Sequence, residues 1–94
     1  MKIRKLQRSR KHRHYKYCIK FHYYCPNHIW LPYGKEILES LELIRNSFGK
    51  RCRIISHNEF MRINTKVYVE TEEDMLLIMF VHSPLIYKIY EIVD

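Results

Sequence analysis

The stretch from Tyr15 to Tyr24 reads YKYCIKFHYY and alternates between two kinds of side chain. Its odd positions are all aromatic or aliphatic, whereas lysine, cysteine and histidine dominate the even positions. Side chains of a β-strand point alternately to opposite faces, so a period of two over ten residues predicts a strand with one buried face. We therefore predict that this strand opens a single folded domain comprising residues 15–94.

Two helices and three further strands are predicted after this strand. Apolar residues recur at helical spacing from Gly34 to Phe48, and Gly49 suits a C-terminal cap. A second helix is predicted after Thr71, which can cap its N-terminus ahead of three acids, and Pro84 should end it. The remaining strands are predicted at residues 51–57, 64–71 and 87–93.

The order strand, helix, strand, strand, helix, strand predicts the α+β class. More specifically, it predicts a ferredoxin-like βαββαβ sandwich, with an antiparallel sheet and both helices on one face. In this topology the first and third of these strands lie side by side at the centre. A short antiparallel barrel is the alternative, which two well-delimited helices disfavour.

Positive charge is concentrated at the start of the chain. The first 35 residues contain ten lysines and arginines and no acid, whereas the rest contains seven bases and ten acids. Such asymmetry predicts an anionic partner, most often nucleic acid. Residues 1–14, where only Ile3 and Leu6 could be buried, are predicted to be a basic arm that is mobile or that orders on its partner. The alternative is a solvated tail that aids solubility. Its predicted phosphate contacts are Lys2, Arg4, Lys5, Arg8, Arg10, Lys11 and Arg13.

The even face of the first strand is predicted to be a second contact surface. The apolar odd face should meet the helices, which leaves lysines and tyrosines on an open sheet face. Amines neutralise phosphates and rings stack on bases, as in single-strand binding. The alternative is an ordinary polar sheet face, because strands favour similar residue types. The predicted contacts are Lys16, Lys20, Tyr24, Lys66 and Tyr68, which Lys88 and Tyr90 could join.

The second helix is apolar on all sides from Met75 to Val81. A helix on a sheet needs only one apolar stripe, so we predict that a second chain covers Leu76, Met79 and Phe80. Trp30, in a loop bounded by prolines, is predicted to be either a further interface anchor or a lid over the edge of the core. Complete burial of the helix within the domain is the alternative.

Metal binding and catalysis are not expected. Cys18, His22, Cys25 and His28 are zinc-ligand types, but an extended strand places Cys18 and His22 roughly 13 Å apart. The chain has no glycine-rich phosphate loop and no recognisable nucleophile motif. We therefore expect neither an enzyme nor a cofactor.

The cysteine count and the hydropathy pattern predict a cytoplasmic protein. Three cysteines argue against a disulfide framework, and no apolar signal segment follows the basic start. The longest apolar run has seven residues, 75–81, far below the roughly 18 needed to cross a bilayer. The absence of alanine beside 12 isoleucines indicates an A/T-rich coding sequence, as in many viral genomes.

The predicted topology resembles that of the RNA-recognition motif, but the strand NTKVYVET at 64–71 lacks that family's glycine-aromatic core. Residues 15–82 more broadly resemble small ferredoxin-like accessory proteins of bacteriophages. The likeness lies in the aromatic-basic first strand, the helix end at residues 46–49 and the acidic cap at residues 71–75. It implies binding to nucleic acid or to host machinery rather than catalysis.

The sequence therefore predicts a non-enzymatic nucleic-acid-binding accessory protein of a virus, with RNA or a single strand preferred. One alternative is a viral inhibitor or adaptor that binds a host protein complex. Another is a structural component associated with a virion or a ribosome. A homodimer would also account for the apolar helix.

Overall fold

The computed structural model describes residues 2–25, 34–60 and 62–94, and of Glu59 the backbone alone. These residues form a five-stranded mixed sheet and two α-helices, which confirms the α+β class. The elements are β1 (Ile3–Gln7), β2 (Tyr17–Phe21), α1 (Gly34–Phe48), β3 (Cys52–Glu59), β4 (Arg62–Val69), α2 (Glu72–His82) and β5 (Ile86–Val93).

Both helices have the predicted bounds and end signals. Gly49 follows α1 with a φ of +54°, a left-handed conformation that glycine adopts without a steric cost. At the start of α2, the Thr71 hydroxyl accepts a hydrogen bond from the Asp74 backbone N–H at 3.1 Å. Pro84 lies in a short 3₁₀ turn that follows α2. Neither helix of this described part of the chain is long and apolar enough to cross a membrane.

The sheet has the strand order β1-β5-β2-β4-β3. Strands β2 and β4 pair in its middle, and β1 runs parallel to β5 while the other neighbours are antiparallel. Four strands and a fully antiparallel sheet were predicted from the sequence. Both parts of that prediction are wrong, because the sheet has five strands and β1 pairs with β5 in parallel.

The hydrophobic core lies between the helices and one face of this sheet. Ile37 of α1 and Met75 of α2 pack there against Ile19, Val67 and Ile89 of the three central strands. Each of these side chains is almost fully buried. Because both helices cover the same face, the opposite face of the sheet has no helix of the described residues above it. We call this opposite side the open face.

The prediction of a mobile arm over residues 1–14 is wrong for most of its length. Ile3–Gln7 form β1, paired along its whole length with β5. The Arg8 backbone N–H continues this pairing by donating to the Val93 carbonyl at 2.8 Å. An edge strand requires one neighbour and only a partly buried face, so its sequence can be strongly basic. Charged edge strands also discourage pairing with other chains.

The predicted face assignment holds for the regular part of β2 and fails at both ends. Ile19 and Phe21 are buried on the helix side and Tyr17 packs against that core, as predicted. Tyr15, however, clusters with Tyr68 on the open face, and Tyr24 is buried in the helix-side core. Tyr15 and Tyr24 lie outside β2, which spans Tyr17–Phe21, and Tyr24 forms only an isolated bridge. Alternation does not persist through such irregularities.

Candidate nucleic-acid interface

Three lysines lie side by side across the open face. Lys20 of β2 is directly opposite Lys66 of β4 on one side and Lys88 of β5 on the other. We call these residues the lysine row. Directly opposed residues of neighbouring strands have side chains on the same face, about 4.5–5.5 Å apart at Cβ. Like charges so arranged destabilise a sheet, so the row opposes folding unless an anion accompanies it.

A second row crosses the open face beside the first. It places Cys18, at the centre of the sheet, between Tyr90 of β5 and Tyr68 of β4. Arg4 of β1 and Arg53 of β3 stand opposite these two tyrosines at the outer strands. Cys18 and Tyr68 are buried. The second row therefore has an apolar and neutral centre with cations at its two ends.

The chain between β1 and β2 folds over part of this face. Its 3₁₀ turn, Arg10–His12, places the His12 ring 5.9 Å from the Tyr68 ring, and His12 is only 2% exposed. The Ser9 backbone N–H donates to His12 Nδ1 at 3.0 Å. Arg8 holds the turn by donating to the carbonyls of Arg13 and Tyr15 and by pairing with Asp94. The turn is thus held in place by buried and charged contacts.

A cavity of about 340 Å³ lies between this turn and the open face. We call it the recess. Residues of the second row form its floor, and residues of the turn and of the lysine row also line it. The residues lining it are Leu6, Gln7, Ser9, Lys11, His12, Cys18, Lys20, Lys66, Tyr68 and Tyr90. None of these residues is acidic, and three are lysines.

No negative charge on the recess floor offsets the positive charge of these lysines. Burial raises the pKa of the Cys18 thiol, and burial together with Cys18 raises the pKa of Tyr68 to about 12. Both groups therefore stay protonated and uncharged near neutral pH, and Cys18 is not an activated nucleophile. Burial, helped by the charges of Lys11, Arg8 and Lys66, lowers the pKa of His12. A neutral His12 agrees with its role as acceptor from Ser9.

Aromatic rings border the lysine row at one end. The Lys20 ammonium donates to the Tyr23 hydroxyl at 3.3 Å and lies 5.5 Å from the centre of the Tyr87 ring. Lys88 lies 5.0 Å from the same Tyr87 ring, and the Arg62 guanidinium is 4.2 Å from the Tyr23 ring. The three distances from a cation to a ring centre are within the range of a cation–π contact. Tyr87 is also 44% exposed. This aromatic corner thus combines cations with an accessible ring.

The predicted sheet-face contacts separate into two groups. Lys16 is exposed, and Lys20 and Lys66 are half-buried on the open face. Tyr24 and Tyr68 are only 9% and 2% exposed, so neither ring is accessible to a base in this conformation. Tyr68 lies on the predicted face but is covered by the turn, whereas Tyr24 lies on the other face. The prediction that these two rings stack on bases is therefore incompatible with the structure.

The predicted phosphate contacts of the N-terminal segment are mostly accessible. Arg8 is the exception, because its guanidinium is engaged by Asp94 and by two carbonyls of the turn. We therefore assign Arg8 to the architecture of the turn. The exposed bases are Lys2, Arg4, Lys5, Arg10, Lys11 and Arg13.

The predicted protein-interface residues lie on the outer surface of the helix layer. Leu76 and Phe80 are exposed, Phe80 by 87%, and Met79 is half-buried against the core. Leu77 and Val81 of α2 are exposed as well. The alternative, complete burial of α2 within the domain, is therefore wrong. Trp30 lies outside the described residues.

Metal ligation has no support in the described ranges. Residues 2–25, 34–60 and 62–94 contain no group of three histidine, cysteine or acidic side chains placed to hold an ion. Of the four cysteine and histidine residues considered as zinc ligands in the sequence, His28 lies outside these ranges.

The aromatic corner was not predicted from the sequence. Simple alternation assigns Tyr23 to the buried face and gives Tyr87 and Arg62 no role. The corner depends on the register shift that opposes Lys20 to Lys88 but Phe21 to Ile86. No local pattern reveals such a shift. The only available signal was the density of tyrosine and lysine in residues 20–24 and 87–90.

Comparison of the chain with protein-family models, curated proteins and solved structures gives no match.

Proposed function

We propose that the protein binds nucleic acid, RNA or a single strand in preference, on the open face of its sheet. We further propose a ferredoxin-like architecture for residues 17–93, to which β1 adds an edge strand. The role is binding rather than catalysis, and it suits an accessory protein of a virus.

The lysine row is the observation on which this proposal chiefly rests. Three cations directly opposed on neighbouring strands repel one another, and none of the described residues lining the adjacent recess is acidic. A strand of nucleic acid would supply phosphates along such a row. Lysine amines on flexible stems can each reach a different phosphate. The exposed bases of the N-terminal segment would extend this contact beyond the sheet.

The aromatic corner supports the preference for single strands. Unpaired bases stack on accessible aromatic rings, and each stacked base contributes about 1–3 kcal/mol. Tyr87 is exposed and flanked by Lys20 and Lys88, so a base on this ring would place its phosphates near two amines. Bases held in a duplex have no free face for such stacking. Tyr87 and Tyr23 therefore replace Tyr24 and Tyr68 as the proposed stacking residues.

Fluorescence anisotropy with a labelled single-stranded RNA and a duplex of the same sequence tests the proposal. The single strand should bind more tightly. The slope of the logarithm of its affinity against the logarithm of the salt concentration should be about −0.7 for each neutralised phosphate. Replacing Lys20, Lys66 and Lys88 by glutamine should lower the affinity and flatten that dependence. The matched control replaces Lys35, Arg45 and Lys50, three exposed cations away from the open face. Equal effects of the two triple variants would contradict the proposed face.

A second candidate function, a protein-contacting adaptor, is favoured by the exposed apolar surface of α2. Leu76, Leu77 and Phe80 line a groove that Glu72 and Glu73 border at the N-terminal end of the helix. On a soluble domain, an exposed apolar patch of this kind usually marks a contact site. The bordering acids favour a partner segment with apolar side chains flanked by lysine or arginine.

Two amphipathic helical peptides test this second function, one with leucine and lysine and one with leucine and glutamate. The basic peptide should bind despite the net charge of +7 on the protein, and Phe80→Ser should weaken that binding. Preference for the acidic peptide would contradict the proposed partner chemistry. A salt-resistant dimer in light scattering, abolished by Phe80→Ser, would identify a second copy as the occupant.

A further inference from the structure

The recess lies partly under the N-terminal turn. The sheet forms its floor, and the Arg10–His12 turn covers part of that floor, where His12 packs against Tyr68. Lys20 and Lys66 of the lysine row also line it. The interior of a strand would need a way in and a way out beneath the turn, whereas the end of a strand needs only a way in.

The size of the recess also suits a chain end. About 340 Å³ is close to the lower limit of the roughly 300–1,000 Å³ found for small-molecule sites. That space accommodates a phosphate with the nucleoside attached to it rather than a run of nucleotides. The half-buried side chains of Tyr90 and Leu6 give the cavity an apolar surface against which a sugar or a base can pack.

The donors of the recess favour a doubly charged anion. Lys11 of the turn and Lys66 of the sheet line the recess, and Ser9 adds a hydroxyl. Lys20 lines it as well, while its ammonium donates to the Tyr23 hydroxyl of the aromatic corner. A phosphate monoester carries about −1.5 to −2 charges near pH 7, whereas each internal phosphodiester carries one. None of the described residues that line the cavity has a carboxylate to compete for the amines or to repel the ligand. The floor groups Cys18 and Tyr68 remain uncharged, as described above.

We infer that the recess binds the terminal phosphate monoester of a nucleic acid strand. This inference rests on the proposed function, because the rest of that strand would lie along the lysine row. The protein then recognises strand ends and holds them beneath the N-terminal turn. A phosphate at either the 5′ or the 3′ end has the required chemistry.

Four labelled RNA oligonucleotides of one sequence test the inference: 5′-phosphate, 3′-phosphate, both ends hydroxyl, and a circular form without ends. A phosphorylated end should bind about tenfold more tightly than the hydroxyl form, the ratio given by one additional charge-assisted contact of about 1.4 kcal/mol. Whichever phosphorylated arm gains the affinity identifies the end that is bound. The circular form should bind no better than the hydroxyl form.

Variants of the full chain locate the effect. Lys66→Gln and Lys11→Gln should reduce the preference for the phosphorylated end to less than about threefold, as expected when a charged partner is removed. Lys88→Gln is the matched control, since Lys88 belongs to the lysine row but does not line the recess. It should weaken all four oligonucleotides alike and keep the preference. Circular dichroism spectra and urea midpoints check that each variant is folded.

Two results would overturn the inference in distinguishable ways. Equal affinity for phosphorylated, hydroxyl and circular forms, with tight binding retained, would reject the terminal-phosphate site and leave the proposed function standing. Absence of binding to all four oligonucleotides would reject both. A preference that persists in both Lys66→Gln and Lys11→Gln would place the end elsewhere and reject the recess.

Discussion

Replacing Lys66 by glutamate should raise stability and lower nucleic-acid affinity in the same variant. Lys66 is directly opposite Lys20 across the central strands β2 and β4. A cross-strand pair contributes about 0.2–1 kcal/mol, and a like-charged pair is destabilising by a similar amount. Glutamate removes one repulsion and forms one attraction, so the free energy of unfolding should rise by about 1 kcal/mol. The thermal midpoint should rise by about 4–8 °C for a chain of this size.

The same change should weaken binding, because it places an anion at the centre of the open face. We expect the dissociation constant for single-stranded RNA to increase about tenfold or more, which corresponds to about 1.4 kcal/mol. The slope of log affinity against log salt should decrease by about 0.7 for each phosphate that the variant no longer neutralises. Urea unfolding followed by circular dichroism gives the stability, and fluorescence anisotropy over a salt titration gives the affinity.

Lys35→Glu is the control for this experiment. It changes the net charge equally but lies on α1, where Lys35 is 4.0 Å from Glu39. Screening over a Debye length of about 10 Å should leave its effect on affinity small. A Lys66→Glu protein that is less stable than the wild type and binds RNA unchanged would refute this explanation. The lysine row would then serve the fold and not an anionic partner.

Three further expectations follow from the N-terminal segment and the buried rings. Deleting residues 1–14 should lower the thermal midpoint by several degrees, because it removes β1 and uncovers Tyr68; an unchanged midpoint would restore the mobile arm. Tyr68→Ala should cost about 3–5 kcal/mol in urea unfolding, as loss of a buried aromatic does, rather than only weakening binding. Burial lowers the pKa of His12 below its usual 6.5, so its contribution to stability is complete above pH 6.5 and declines as pH falls towards the lowered pKa. Urea midpoints between pH 7.5 and 5 should therefore fall less in His12→Gln than in the wild type, with His82, whose pKa burial also lowers, still titrating in both.

The helices could be predicted in detail because their signals are local. Apolar spacing gives the buried stripe of α1, and its end is marked by Gly49, whose φ is positive. The start of α2 follows from one side chain, Thr71, that bonds a backbone group three residues later. These interactions join residues only a few positions apart, so they can be recognised from the sequence alone. The same holds for the alternation of Tyr17–Phe21.

Strand β1 and the aromatic corner could not be predicted because they depend on long-range pairing. β1 carries few apolar residues and is held by the backbone edge of β5, more than 80 residues later along the chain. The corner depends on a register shift between β2 and β5 after Lys20. Tyr24 lies on the helix side, contrary to the extrapolated alternation, because β2 ends at Phe21 and the alternation does not continue beyond it. Such features follow from which strands become neighbours rather than from local propensity.

Binding of nucleic acid to the open face of the sheet is the proposal on which the others depend. NMR titration of isotope-labelled protein with a single-stranded RNA tests it residue by residue, because each backbone amide reports separately. We expect the largest shift changes at Lys20, Lys66 and Lys88 and at the exposed Tyr87 ring, with α1 and α2 little affected. Changes confined to Leu76–Val81 of α2, or no changes at saturating RNA, would contradict binding at this face.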